Sequence, residues 1–121
     1  MRRILAVDDD RDILEVLQFI LEDFGYEVET LSDGHFLFDK IKEHVPDLIL
    51  LDIMLGNLDG RDLCMKVKTN LQTHDIPVVL VSASHNIMNH LNKTGEPNAF
   101  LAKPFDINEL LDIIKFQLKA A

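Results

Sequence analysis

Leu48-Ile49-Leu50-Leu51-Asp52, entered through Pro46-Asp47, sets four consecutive apolar residues before an acid. The run does not alternate. A strand with one wet face shows apolar and polar residues in turn, whereas a run that is apolar throughout suits a strand buried on both faces, as in a parallel sheet. Three other short runs have the same form. Residues 4–7 lead into Asp8 and Asp9, residues 78–81 into Ser82, and residues 99–102 into Lys103.

Helical patterns fill the intervals. Ile13, Val16, Leu17, Ile20, Leu21 and Phe24 recur at helical spacing, which predicts a helix over 11–24 with Asp10 or Asp12 as its cap and Gly25 as its stop. Residues 26–31 do alternate, as a half-exposed edge strand would. A second helix is expected over about 34–43, burying Phe36, Leu37 and Ile41. A third, over about 61–71, follows the Asp59-Gly60 turn and faces Leu63, Cys64, Val67 and Leu71 inward. A short fourth helix is expected over 84–93, although its Asn and His residues are poor helix formers. The last, over 107–118, carries Ile107, Leu110, Leu111, Ile114 and Leu118. Alternating strands and helices imply an α/β fold, a five-stranded parallel sheet with helices on both faces.

The totals narrow the function. At 121 residues the chain is expected to form a single domain over 1–121. No apolar stretch approaches the roughly 20 residues of a membrane span, and no secretory signal is present, so no membrane association is expected and the cytoplasm is the expected location. A net charge of −9 repels phosphate backbones, which argues against direct nucleic-acid binding. The lone Cys64 excludes an internal disulfide and reads as a buried helix thiol. The five histidines are scattered and read as surface residues, with no close pair at zinc-site spacing.

In open parallel sheets the ligand site lies beyond the carboxyl ends of the strands. Asp8, Asp9, Asp52, Ser82 and Lys103 all fall there. Three carboxylates brought together raise each other's pKa values, and a hard divalent cation such as Mg²⁺ relieves that conflict. With an ammonium and a hydroxyl beside them, the group contains what phosphoryl transfer to a carboxylate needs. Asp52, on the central strand, is the natural acceptor. By contrast, Asp10, Asp12 and Asp59 read as helix caps or turn residues.

These residues, in this order, resemble the receiver domain of two-component response regulators over essentially the whole chain. The resemblance rests on Asp8-Asp9, Asp52, Asp59-Gly60, Ser82-Ala83 and Lys103-Pro104-Phe105. It implies a flavodoxin-like receiver fold with strand order 2-1-3-4-5. It implies that Asp52 takes a phosphoryl group from a histidine kinase or a histidine phosphotransfer protein. It implies that Asp9 ligates Mg²⁺ directly, Asp8 largely through water, and Met54 through its backbone carbonyl. Lys103 would bind the phosphoryl group, Ser82 would move toward it, and Phe100 would turn inward as the switch aromatic. Pro104 would follow a cis peptide bond. The chain would be no enzyme beyond assisting its own phosphorylation and dephosphorylation. Its signal would pass to a downstream protein target or to an output domain of a longer regulator, with a phosphorylation-dependent dimer as one further form.

The chain departs from the commoner receiver pattern at Gly56, where proline is usual, at Phe100 for tyrosine, at Ser82 for threonine, and across Gly95-Glu96-Pro97-Asn98-Ala99. Those departures motivate an alternative, a phosphorylation-independent pseudo-receiver that binds proteins. A small phosphatase with an aspartate nucleophile is the third reading, but the sequence offers neither a second acid–base carboxylate nor a capping segment for it.

Overall fold

The computed structural model describes residues 1–83 and 95–119. Five parallel strands form one sheet: β1 (Arg3–Val7), β2 (Glu27–Leu31), β3 (Leu48–Asp52), β4 (Val78–Ser82) and β5 (Ala99–Ala102), in the spatial order β2-β1-β3-β4-β5. This is the expected order, with the alternating segment at one edge and the Leu48 run at the centre. The register pairs Ile4 with Leu48, Asp52 with Val81, and Ser82 with Ala102. It therefore brings the polar strand ends to one edge of the sheet.

The runs of β1, β3 and β4 are buried on both faces, whereas β5 buries Leu101 and leaves its other residues partly exposed. Ile4, Ala6, Leu48, Leu50, Val79 and Val81 point to one side, where they meet Leu14, Leu17 and Leu21 of α1 (Arg11–Asp23) and Leu110, Leu111, Ile114 and Leu118 of α4 (Ile107–Lys119). Leu5, Val7, Ile49, Leu51, Val78 and Leu80 point to the other, against α2 (Leu37–Glu43) and α3 (Gly60–Thr69). Each fully buried leucine contributes about 2 kcal/mol of hydrophobic stabilisation.

Helix ends follow local chemistry. Asp10 caps α1 by accepting from the amides of Asp12 and Ile13. Gly25, at φ +94, lets the chain leave α1 in the left-handed conformation, and Tyr26 N–H returns to the carbonyl of Leu21. Asp59 caps α3.

Several boundaries and faces differ from expectation. Val16 and Phe24 are exposed while Leu14 is buried, so the core-facing stripe of α1 is centred on Leu14, Leu17 and Leu21. The second helical segment opens as a 3₁₀ turn, Gly34–Phe36, and Phe36 is exposed. α3 ends at Thr69, which leaves Leu71 in a turn and 90% exposed. A two-residue hairpin, Met54–Leu55 against Leu58–Asp59, occupies the β3–α3 connection and was not expected. The helix expected over 84–93 lies outside the described residues. No helix among the described residues is long and apolar enough to cross a membrane.

Candidate functional site

The site begins with two strands that end in acid. Asp8 follows β1, and Asp52 closes β3. Both side chains are buried, whereas Asp9, one residue further, is exposed. Parallel neighbours in register bring the carboxylates together: oxygens of Asp8, Asp9 and Asp52 all lie within 4.8 Å of one another.

Lys103 reaches into this group from the end of β5. Its ammonium donates to Asp52 Oδ2 at 2.8 Å and to Asp8 Oδ2 at 3.1 Å. Its backbone amide donates to the carbonyl of Ser82 at 2.8 Å, locking the two strand ends side by side. The Lys103–Pro104 bond is cis, as the resemblance implied. Ser82 is itself buried and next to Asp52's neighbour Val81. Phe100 sits two residues upstream of Ala102, half-buried, opposite Leu80 and against the core on the α2–α3 side.

Backbone amides steady the carboxylates. Asp10 N–H donates to Asp8 at 2.9 Å and Met54 N–H to Asp52 at 3.2 Å. Gly56 N–H donates to Asp9 at 3.2 Å. The α3 start closes on the end of β3: Gly60 N–H donates to the Ile53 carbonyl at 2.7 Å, and a Cβ at Gly60 would lie 2.1 Å from the Asp52 carbonyl oxygen. Only glycine fits that approach. Asp59, the cap, also pairs with Arg61, whose hydrogen bonds hold its carboxyl below the usual range despite partial burial.

Electrostatics expose the strain in the group. Burial pushes the Asp8 carboxyl up to about 6; the Asp10 amide opposes this, the charge on Asp52 adds to it, and Lys103 offsets part of it. Burial works against the Lys103 ammonium, but hydrogen bonds and charge from Asp52 and then Asp8 prevail and raise its pKa. One ammonium thus serves two buried carboxylates, with a third acid alongside. The donor set is all oxygen, hard and net negative, which fits Mg²⁺ by ligand type.

All the residues singled out from the sequence converge here except Phe100, which lies along β5 from the cluster, and the Met54 carbonyl, whose residue contributes its amide to Asp52. The amide contacts of Gly56 and the close approach of Gly60 were not foreseen. The Asp59-Gly60 pair read as a turn and cap hinted at the second and was silent on the first.

A family model described as the response regulator receiver domain matches residues 4–115. Among solved structures, a CheY-like response regulator receiver domain protein from Methanospirillum hungatei is 32% identical, covers 99% of this chain and 95% of its own, and superposes with a TM-score of 0.88. The response regulator TrrA from Thermotoga maritima, solved in complex with Mg²⁺ and BeF, is 27% identical over 97% of this chain and 99% of its own, with a TM-score of 0.87. NtrX from Brucella abortus is 32% identical with a TM-score of 0.86, and the match spans 99% of this chain but 28% of the NtrX chain.

Proposed function

The chain belongs to the response regulator receiver domain family, which makes it a phosphoacceptor switch, and on that premise we propose that Asp52 is the acceptor and a histidine kinase or histidine phosphotransfer protein the donor. The observation that carries this reading is the Asp52 carboxylate itself: buried at the end of the central strand, within 4.8 Å of two further carboxylates, and 2.8 Å from Lys103.

A carboxylate oxygen of Asp52 attacks the phosphorus of a phosphohistidine, the P–N bond breaks, and the imidazole leaves with the electron pair. Asp8, Asp9, Asp52 and the carbonyl of Met54 would hold Mg²⁺, which supplies positive charge to the phosphoryl oxygens. The Lys103 ammonium, shared between Asp52 and Asp8 beforehand, turns to a phosphoryl oxygen once Asp52 is phosphorylated. The Ser82 hydroxyl donates to another. Movement of Ser82 frees space beside β5, and Phe100 turns inward, so that the β5 edge reports the state of Asp52. The protein assists only its own phosphorylation and dephosphorylation, in the cytoplasm. Its readout is a protein target or an output domain, a reading supported by the match to about a quarter of the NtrX chain.

Incubation with a small acyl phosphate and Mg²⁺ tests the acceptor. Intact mass should rise by one phosphoryl group, hydroxylamine should remove it, and Asp52→Asn should prevent it. Undiminished modification of Asp52→Asn would overturn the assignment.

A further inference from the structure

Two concavities flank the acid cluster, and they differ in chemistry. On the Lys103 side the lining is mostly apolar, with Ile13, Val16, Leu17, Pro104 and Phe105. On the Asp9 side a cavity of about 370 Å³ is lined by Asp9, Arg11, Ser32, Asp33, His35 and Asn57. Asp9 thus belongs both to the cluster and to this polar wall. Arg11, the first residue of α1, is exposed, and among the described residues its guanidinium has no hydrogen bond or ion pair. The other arginines are engaged: Arg2 with the Leu118 carbonyl, Arg3 with Glu27, and Arg61 with Asp59. Of the acids around Arg11, Asp10 caps α1, and Asp33 accepts from the His35 amide at 2.9 Å and pairs with its ring at 2.7 Å. Asp9 accepts from Gly56 N–H and faces the cluster. Arg11 is therefore the fixed positive charge of this cavity, with its side-chain donors open.

We propose that this cavity is a leaving-group subsite, in which Arg11 binds the carboxylate of a small acyl phosphate as its phosphoryl group passes to Asp52. The inference rests on the reading of Asp52 as the acceptor. An Asp52 oxygen attacks phosphorus, the P–O bond to the acyl group breaks, and the carboxylate departs with the electron pair, so no proton has to move. Negative charge grows on the departing oxygens in the transition state. A guanidinium that meets them with two parallel N–H donors stabilises that state more than the bound donor. The planar fork of arginine matches a carboxylate. The concavity beside Pro104 and Phe105 offers it no such partner, since the Lys103 ammonium there is committed to the acids and then to the phosphoryl group. In a chain of net charge −9, an anionic donor also needs positive charge on its approach, and Arg11 supplies it next to the cluster.

The test compares two donors that deliver the same phosphoryl group to the full chain in the presence of Mg²⁺. Acetyl phosphate releases a carboxylate, and phosphoramidate releases ammonia. Intact mass follows the rate of phosphorylation at Asp52. Arg11→Gln should slow transfer from acetyl phosphate about tenfold and from phosphoramidate by less than about twofold, the scale of one lost charge-assisted bidentate contact. Arg11→Lys, a point charge without the fork, should keep about a third of the parent rate with acetyl phosphate. Lys66→Gln, which removes an equal charge from the exposed side of α3, should leave both rates at the parent level. Steering by the field alone fades at 1 M salt, where the Debye length is about 3 Å, whereas the loss specific to acetyl phosphate should persist there. Beryllofluoride has no leaving group, so its amide NMR shifts should be the same in Arg11→Gln as in the parent. Equal losses with both donors, a loss that vanishes in salt, altered beryllofluoride shifts, or no loss at all would overturn the inference and leave Asp52 standing as the acceptor. Failure of the parent chain to take a phosphoryl group at Asp52 from either donor would overturn that reading and the inference with it.

Discussion

The Lys103 ammonium lies 2.8 Å from Asp52 Oδ2 and 3.1 Å from Asp8 Oδ2, so one cation balances two buried acids contributed by the central strand and its neighbour β1. Removing it strands both. Lys103→Ala should lower stability at pH 7 by about 2 kcal/mol without divalent cations, below the range for a fully buried pair because the lysine is partly exposed. Mg²⁺ should restore part of the loss. Urea unfolding with and without Mg²⁺ measures both effects; a variant as stable as the parent in chelator would contradict the account.

The raised pKa of Asp8 makes a signed prediction. Its folded value is about 6 against 3.8 for the free group, so the folded state binds more protons than the unfolded state between those values. The group's favourable contribution is complete below about pH 4 and is lost as pH rises through about 6. Asp8→Asn removes that ionisation. It should be more stable than the parent at pH 7 in chelator by on the order of 1–3 kcal/mol, and the difference should vanish near pH 4. A constant difference across the range would show that ionisation of Asp8 is not its source.

Cys64 is 1% exposed, its thiol donates to the Gly95 carbonyl at 3.5 Å, and burial pushes its pKa up to about 11. At pH 8 only about one thiol in a thousand would be ionised even before access is considered. A disulfide reagent should therefore label native protein at the rate of unfolding and urea-unfolded protein at once. Rapid labelling of the native state would contradict the packing.

At Gly60, a methyl group would lie 2.1 Å from the Asp52 carbonyl oxygen, a backbone atom that cannot swing aside. Gly60→Ala should cost about 3 kcal/mol and displace the Asp52 end of β3. Thermal unfolding checks the first, and amide shifts at Asp52 and Ile53 the second. An unchanged Tm would mean that α3 can start elsewhere.

Much of this site was legible because two independent signals coincide at each strand end. An apolar run buried on both faces fixes a strand and its direction, and the polar residue that ends it must then fall at the carboxyl edge, as Asp8, Asp52, Ser82 and Lys103 do. Helix faces were less legible. Val16, Phe24 and Leu71 have the right spacing but the wrong phase or lie past the helix end, because the chain carries more apolar residues than its core can cover. The contacts that steady the acids were barely legible, with the Asp59-Gly60 turn the one hint of them. The Gly56 amide reaches Asp9, and Gly60 abuts Asp52, through a two-residue hairpin whose pairing no periodicity announces. Asn98, which accepts from Val78 N–H and from Lys68, ties α3 to the start of β5 by the same kind of unannounced contact.

The central claim is that a change at Asp52 is felt at Ser82 and along β5. Its most direct measurement is amide NMR of the protein with Mg²⁺, before and after beryllofluoride, a phosphoryl mimic. The account predicts shifts around Ser82 and from Phe100 to Lys103 in the parent chain and none in Asp52→Asn. Shifts confined to Asp52 and its immediate neighbours, or the same response in Asp52→Asn, would contradict it.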